Sequence, residues 1–323
     1  MLYNLSCCFM LLFLWPGLGL AQEKDRSIGR PGQGPALTLQ NVVDEAAQTA
    51  LRDFAGKGLR PDQLAVTLID LREPANLRQA DYRGEEKIYP ASVVKMFYLG
   101  AVQRWLQDGK LKDSPELQQT LKEMIVESWN EPTQYIVDLL TGTTSGPALS
   151  DKDMKKWADK RNVVNRFYAS LGYQNINVNQ KTFCEASYGR EKIYRGANGE
   201  NRNKLTTNAT ARLLSEIALG RMVTKERSAQ MMDLMKRDPY APGGDVDDQA
   251  RGFTGIALKE TPGIKLWSKA GWTSETRHDA AYIETPEGLR FVLVTYTTDH
   301  ANERDIIPTV ARTVLARLGS VRY

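Results

Sequence analysis

Two polar side chains stand at the start of an apolar segment of the sequence. Lys95 follows Ser92 by three positions, and the residues from there to Leu106 are mostly apolar. On a helix, this spacing places the two side chains on one face, about 5–6 Å apart. In a buried helix, desolvation favours the neutral amine of Lys95, which can accept the hydroxyl proton of Ser92. The pair therefore predicts a serine nucleophile activated by lysine, although a helix-capping serine followed by a solvated lysine would give the same pattern.

Two further segments carry groups suited to the same reaction. Ser128 and Asn130 lie in a predicted loop between helices, where a hydroxyl can relay a proton to a leaving nitrogen and an amide can bind a substrate amide. Lys269 and Gly271 lie at the end of a predicted strand. The lysine offers a cation for a substrate carboxylate, and the glycine allows close approach of the backbone. Each segment alone is explained as an ordinary turn, but the ordered set predicts one site.

The spacing of apolar residues predicts the elements that hold these side chains. A helical period indicates an amphipathic helix over residues 39–54 and a buried helix over 92–106, and a β-branched run indicates a strand over 64–70. Further helices are predicted over 117–126, 134–140, 154–171, 207–219 and 310–318, and further strands over 77–82, 258–269, 280–285 and 289–297. This order predicts an α+β fold, in which an antiparallel sheet formed by both chain ends is flanked by helices and carries an all-helical block.

The composition argues against several classes of function. The 323 residues carry a formal charge of only +4, and no basic run is interleaved with aromatic residues, so no nucleic-acid partner is expected. Two histidines, three cysteines and the lack of HExxH and CxxC patterns leave little material for a metal site. We expect no metal, no cofactor and a monomeric protein.

The first residues are typical of an export signal. Residues 5–20 are nearly all apolar but too few to span a membrane comfortably, and a plausible cleavage position follows Ala21. An exported protein, periplasmic or secreted, is therefore expected, with no stable membrane insertion after cleavage; an uncleaved anchor is the alternative. Cys7 and Cys8 fall in this segment, so cleavage would leave only Cys184 and no internal disulfide.

We interpret the chain as a leader followed by one domain. The segments are a signal peptide over residues 1–21, a flexible leader over 22–36, and a single domain over 37–323 with an α/β part over 37–90 and 220–323 and a helical part over 91–219.

The three polar segments resemble the Ser-x-x-Lys, Ser-Asp-Asn and Lys-Thr-Gly signatures of penicillin-binding proteins and class A β-lactamases. The resemblance covers roughly residues 37–320. It implies a serine β-lactamase that hydrolyses small-molecule β-lactam antibiotics through an acyl-enzyme on Ser92. The implied roles are nucleophile for Ser92, proton acceptor for Lys95, proton shuttle for Ser128, substrate contacts for Asn130, Lys269 and Gly271, oxyanion hole for the backbone amides of Ser92 and Trp272, and carboxylate binding for Arg277.

Three positions depart from this family's pattern. Trp129 replaces the aspartate of the second signature, and Ala270 replaces the hydroxyl residue of the third, which would bind a substrate carboxylate. Trp272 is bulky where the family has a small residue beside the oxyanion hole. Thr273 or Ser274 could supply the lost hydroxyl.

The glutamate that activates water in class A enzymes has two candidates. When residues are counted back from Thr207 without gaps, Glu191 falls at the position of this glutamate in class A enzymes. Arg195, four residues later, stands where these enzymes usually have an asparagine. Glu185 is the alternative. Residues 143–165 look like an insertion with no inferred role.

Two other functions remain open. One is a D,D-peptidase or penicillin-binding type of serine hydrolase with slow deacylation. The other is a non-catalytic binding module on the same fold, in which Trp129 and Trp272 fill the site.

Overall fold

The computed structural model describes residues 37–183, 186–243 and 245–321. The predicted signal peptide and leader, the three cysteines and Glu185 lie outside these residues.

One antiparallel sheet contains strands from both halves of the chain. The strands are β1 (Leu64–Asp70), β2 (Arg78–Tyr82), β3 (Lys236–Arg237), β4 (Lys265–Trp272), β5 (Thr276–Glu284) and β6 (Arg290–Thr298). Their order across the six-stranded sheet is β2-β1-β6-β5-β4-β3. Because β1 pairs with both β2 and β6, strands from the two ends of the chain meet in its middle. This confirms the predicted α+β architecture.

Helices cover both faces of the sheet and fill the middle of the chain. They are α1 (Leu39–Asp53), α2 (Val94–Gln107), α3 (Pro115–Lys122), α4 (Asn130–Thr141), α5 (Asp151–Arg161), α6 (Val163–Ser170), α7 (Gly189–Arg195), α8 (Thr207–Ala218), α9 (Lys225–Met235), α10 (Gly255–Leu258) and α11 (Ile306–Leu318). Hydroxyl caps start several of them; for example, Thr206 accepts a hydrogen bond from the backbone N–H of Ala209 at α8.

The protein has two hydrophobic cores, one on each face of the sheet, and the side chains of β1 alternate between them. Leu64, Val66 and Leu68 pack in the core that contains α1 and α11, whereas Ala65 and Ile69 pack in the core that contains α2 and α8. Side chains of a strand point to opposite faces in turn, so a strand covered on both sides is apolar along its whole length. The core that contains α2 and α8 lies between the sheet and the helical block.

Several predicted elements differ from those observed. The strand predicted over 258–269 is wrong in its first half, since Leu258 ends α10 and β4 begins only at Lys265. Pro262 and Gly263 cause this difference, because Gly263 takes a left-handed conformation (φ +85°) that makes a turn before the strand. The helix predicted over 154–171 is two helices, α5 and α6, which are separated at Asn162.

Candidate active site

Ser92 lies in a single 3₁₀ turn, Ala91–Val93, immediately before α2. The turn is tightly held: the backbone N–H of Val93 donates to the carbonyl oxygen of Pro90 at 3.1 Å. Ala91 has a φ of +46°, which is uncommon for a residue with a side chain and is found at functional turns. Ser92 is only partly buried, while Lys95 in the first turn of α2 is fully buried.

His278 of β5 ties the sheet to this turn. Its Nδ1 accepts the backbone N–H of Thr297 at 3.2 Å, so Nε2 carries the ring proton and donates it to the carbonyl oxygen of Tyr89 at 2.9 Å. Burial lowers the pKa of His278 to about 4, so the imidazole is neutral at pH 7. The histidine therefore acts as a structural link, and its ring proton is bonded within the protein.

The end of β4 touches the Ser92 turn backbone to backbone. A Cβ atom on Gly271 would lie 2.7 Å from the amide nitrogen of Ser92 and 2.8 Å from the carbonyl oxygen of Pro90. Real Cβ atoms do not approach so closely, so only glycine fits at position 271. This contact brings the predicted third segment against the predicted nucleophile.

Lys95 reaches from α2 to the second segment. Its Nζ donates to the carbonyl oxygens of Ser128 (2.5 Å) and Trp129 (3.1 Å) and to Oδ1 of Asn130 (3.0 Å). Ser128 takes a left-handed conformation (φ +61°), and its Oγ also faces Lys95 Nζ at 3.4 Å. Four oxygens thus surround Lys95 Nζ, one more than the hydrogens of an ammonium group, and only the neutral amine could accept a proton from Ser92.

Lys269 reaches the same hydroxyl from the opposite side. Its Nζ lies 2.8 Å from Ser128 Oγ and is also bonded to Gln249 Oε1 (2.6 Å) and the carbonyl oxygen of Ala270 (2.7 Å). Burial lowers the pKa of the Lys269 ammonium well below its usual range, and the positive charge of Lys95 lowers it further. The Ser128 hydroxyl thus lies between two buried amines and is suited to proton relay.

Gln249 joins the second and third segments and was missed from the sequence. Its Oε1 also accepts the N–H of Ala270 at 3.1 Å, and its Nε2 donates to the carbonyl oxygens of Ile125 (3.0 Å) and Val126 (2.7 Å). One side chain therefore fixes the end of β4 against the residues that lead to Ser128. Gln249 is a single glutamine in an irregular polar segment, and no periodic pattern of the sequence points to it.

Glu191 lies on α7 and is fully buried. Its Oε1 accepts hydrogen bonds from Arg161 Nη2 (2.7 Å) and Ser145 Oγ (2.9 Å), and its Oε2 accepts from Arg161 Nη1 (3.3 Å). Lys181 Nζ lies 3.8 Å from Oε1. These contacts favour a structural role for Glu191 over the water-activating role predicted for it.

Arg161, Lys181, Asp138 and Glu191 form what we call the buried ion cluster. Lys181 Nζ lies 2.6 Å from Asp138 Oδ2, and Arg161 Nη2 lies 3.5 Å from Asp138 Oδ1. Burial raises the pKa of Asp138, while the cation of Lys181 opposes the shift. Arg161 comes from α5, within the predicted insertion over residues 143–165, so this segment supplies a cation that holds α7.

Arg277 is also committed to contacts within the protein. Its Nη1 pairs with Asp247 Oδ1 at 2.9 Å, its Nη2 donates to the carbonyl oxygen of Gly252, and its guanidinium lies 4.0 Å from the ring centre of Phe253. The side chain is buried. The predicted carboxylate-binding role would require these contacts to break.

Two large apolar side chains flank the assembled groups. Trp129 is 54% exposed and Trp272 is 52% exposed. The carbonyl oxygen of Trp129 contacts Lys95, and Trp272 directly follows Gly271. Both indoles therefore start within one residue of the site and face solvent.

Two other kinds of feature are absent from the part of the chain that the structure describes. Residues 37–183, 186–243 and 245–321 contain no group of three or more His, Cys, Asp or Glu side chains placed to hold a metal ion. Over the same ranges, no helix combines the length and apolar character needed to cross a membrane.

Comparisons with known proteins agree with this arrangement. The sequence model of the beta-lactamase enzyme family matches residues 46–318. No curated protein sequence matches the chain.

Solved structures of β-lactamases and PBP-A share the fold. A β-lactamase from Sphaerobacter thermophilus is 18% identical with a TM-score of 0.58, over 86% of this chain and 99% of that one. A class A β-lactamase from Mycobacterium abscessus is 17% identical with a TM-score of 0.59, over 86% and 99%. PBP-A is 16% identical with a TM-score of 0.59, over 88% and 98%. With the family match over most of its length, the chain belongs to the beta-lactamase enzyme family.

Proposed function

We propose that this protein is a serine hydrolase that is acylated on Ser92 by β-lactams and then releases the hydrolysed product. The observation that carries the proposal is the position of the Ser128 hydroxyl between Lys95 Nζ and Lys269 Nζ, beside the Ser92 turn. A hydroxyl between two amines is suited to give its proton to a leaving nitrogen and to regain one from an amine.

The reaction follows from these positions. Ser92 Oγ attacks the lactam carbonyl carbon, and its proton passes to the neutral amine of Lys95. As the carbon–nitrogen bond breaks, Ser128 Oγ gives its proton to the leaving nitrogen and recovers one from Lys95. Water then attacks the ester carbonyl, and Ser92 leaves as the restored hydroxyl.

Two backbone amides support an oxyanion hole. Gly271 holds the end of β4 against the amide nitrogen of Ser92. The N–H of Ala270 points away from β5 to Gln249, so the N–H of Trp272, two residues further, points to the same edge of the strand. The β3 strand pairs only with Leu266 and Trp267, which leaves this edge open to a substrate oxygen.

The contacts of Glu191 favour a second candidate function. With both carboxylate oxygens bonded to Arg161, Glu191 is poorly placed to activate water. A penicillin-binding type of hydrolase, in which the acyl-enzyme on Ser92 persists, is the alternative.

The intact mass of the protein after mixing with benzylpenicillin tests the proposal. We expect an adduct on wild-type protein that forms and then disappears as the penicillin is hydrolysed, and no adduct on Ser92→Ala. Ser170→Ala, which changes an exposed serine of α6, is the matched control and should behave as wild type. A persistent adduct would support the second function, and an unmodified wild-type protein would contradict both.

A positioning role for Gln249 gives a second prediction. Gln249→Ala removes the hydrogen bonds that connect Lys269 to the backbone before Ser128. The distance between the Lys269 amine and the Ser128 hydroxyl is then less firmly fixed. We expect acylation by benzylpenicillin to slow by about tenfold to a hundredfold. The rate of adduct formation measures this, with Gln119→Ala on the exposed face of α3 as the control. Equal rates in the two variants would mean that Gln249 positions nothing that reacts.

We also propose that the protein is exported to the periplasm or secreted and acts as a monomer. The apolar segment over residues 5–20 supports the export.

A further inference from the structure

We infer that the substrate is recognised through apolar and aromatic groups and not through a carboxylate. The inference rests on the proposed acylation of Ser92 and specifies the class of substrate. The substrates would be acylating carbonyl compounds that carry an aromatic substituent and do not need a carboxylate for binding. Three sets of contacts within the protein and two exposed indoles carry it.

The ammonium of Lys269 has no hydrogen left for a substrate carboxylate. Its three hydrogens are matched by Ser128 Oγ, Gln249 Oε1 and the carbonyl oxygen of Ala270. The side chain is fully buried, so a carboxylate could reach it only by displacing one of these partners. Replacing a satisfied partner contributes little net binding energy.

Position 270 faces an apolar cluster and a protein carboxyl group. The Ala270 side chain is buried with Phe253 and Ile307, so it contributes apolar packing where a hydroxyl would offer a hydrogen bond. Across the strand pair lies Asp279, whose Oδ2 accepts the backbone N–H of Thr254 at 3.1 Å.

Asp279 is a carboxyl group of the protein itself that lies close to the end of β4. It is buried and interacts electrostatically with Lys269 and Arg237, two cations of this region. Arg277, the remaining candidate for carboxylate binding, is paired with Asp247. Asp279 and Asp247 therefore offset part of the positive charge near the end of β4, which weakens the attraction for a second carboxylate.

The rim of the site offers apolar surface instead. Trp129 and Trp272 each leave about half of a large ring system in solvent, beside the groups that react. Indoles bind aromatic groups through large buried area and offset or edge-to-face contacts. An aromatic substituent on the acyl part of a substrate would contact such a surface.

Three penicillins that share the same lactam ring test the inference. They are benzylpenicillin, its methyl ester, and the analogue in which an acetyl group replaces the phenylacetyl group. The rate at which each acylates Ser92 is followed by intact mass. We expect the methyl ester to react within about threefold of benzylpenicillin, because a hydrogen bond to a charged group, worth about tenfold or more, is not made. The acetyl analogue should react about tenfold more slowly.

A pair of variants assigns the aromatic preference to the rim. Trp129→Ala should abolish the advantage of benzylpenicillin over the acetyl analogue. Tyr135→Ala, which changes a side chain of α4 that is 53% exposed, should keep it. Wild-type protein that prefers benzylpenicillin over its methyl ester by tenfold or more would overturn the inference and leave the proposed acylation intact. A lack of adduct with all three compounds would overturn both.

Discussion

Replacing Arg161 by methionine will lower the free energy of unfolding by about 3–5 kcal/mol, because it deprives the fully buried Glu191 of the arginine that binds both of its oxygens. Arg161 is fully buried, and its guanidinium contacts Glu191 at 2.7 Å and Asp138 at 3.5 Å. Methionine keeps most of the apolar stem of arginine, so the loss reports the guanidinium, with its ion pairs and its position 4.4 Å from the ring centre of Trp157, more than the volume. Urea unfolding followed by circular dichroism measures the change.

An exposed arginine provides the control for this experiment. Arg166 pairs with Asp159 at 3.0 Å, but both side chains are largely in solvent. Surface ion pairs contribute little, so Arg166→Met should change the free energy of unfolding by no more than about 1 kcal/mol. Equal losses in the two variants would show that the buried ion cluster does not hold the helices together.

Replacing each candidate glutamate by glutamine will separate structure from chemistry. We expect Glu191→Gln to destabilise the protein by weakening the pair with Arg161, with little change in the rate at which a folded acyl-enzyme is hydrolysed. If Glu185 activates water, Glu185→Gln should slow hydrolysis of the acyl-enzyme by about 10²–10⁴-fold. Intact mass over time gives the hydrolysis rate, and urea unfolding gives the stability.

The opposite result would restore the assignment made from the sequence. A Glu191→Gln protein of wild-type stability that keeps its acyl group would show that Glu191 activates water, despite its contacts with Arg161 and Ser145. Wild-type hydrolysis by both variants would show that neither glutamate does so.

The parts of the site that could be predicted are those whose residues lie close together along the sequence. Ser92 and Lys95 are three residues apart on one helix start, and Lys269 precedes Gly271 on one strand. The structure brings Lys95, Ser128 and Lys269 together, as the order of the segments predicted.

The unpredicted parts depend on contacts between distant polar residues. Gln249 and Arg161 contact residues that lie far from them along the chain, such as Lys269 for Gln249 and Glu191 for Arg161. Counting residues back from Thr207 placed Glu191 at the position of the water-activating glutamate. The count could not show that Arg161 binds both oxygens of its carboxylate. The roles of these residues depend on contacts in the folded protein, and the spacing of residues along the sequence does not reveal such contacts.

The backbone contact at Gly271 constrains how this protein can diversify. A substitution there would push the end of β4 away from Ser92 and damage chemistry and packing together. Trp129 and Trp272, in contrast, leave about half of each side chain in solvent, so substitutions there disturb the packing less. Adaptation to new substrates can therefore proceed at these two positions while the reaction centre stays invariant.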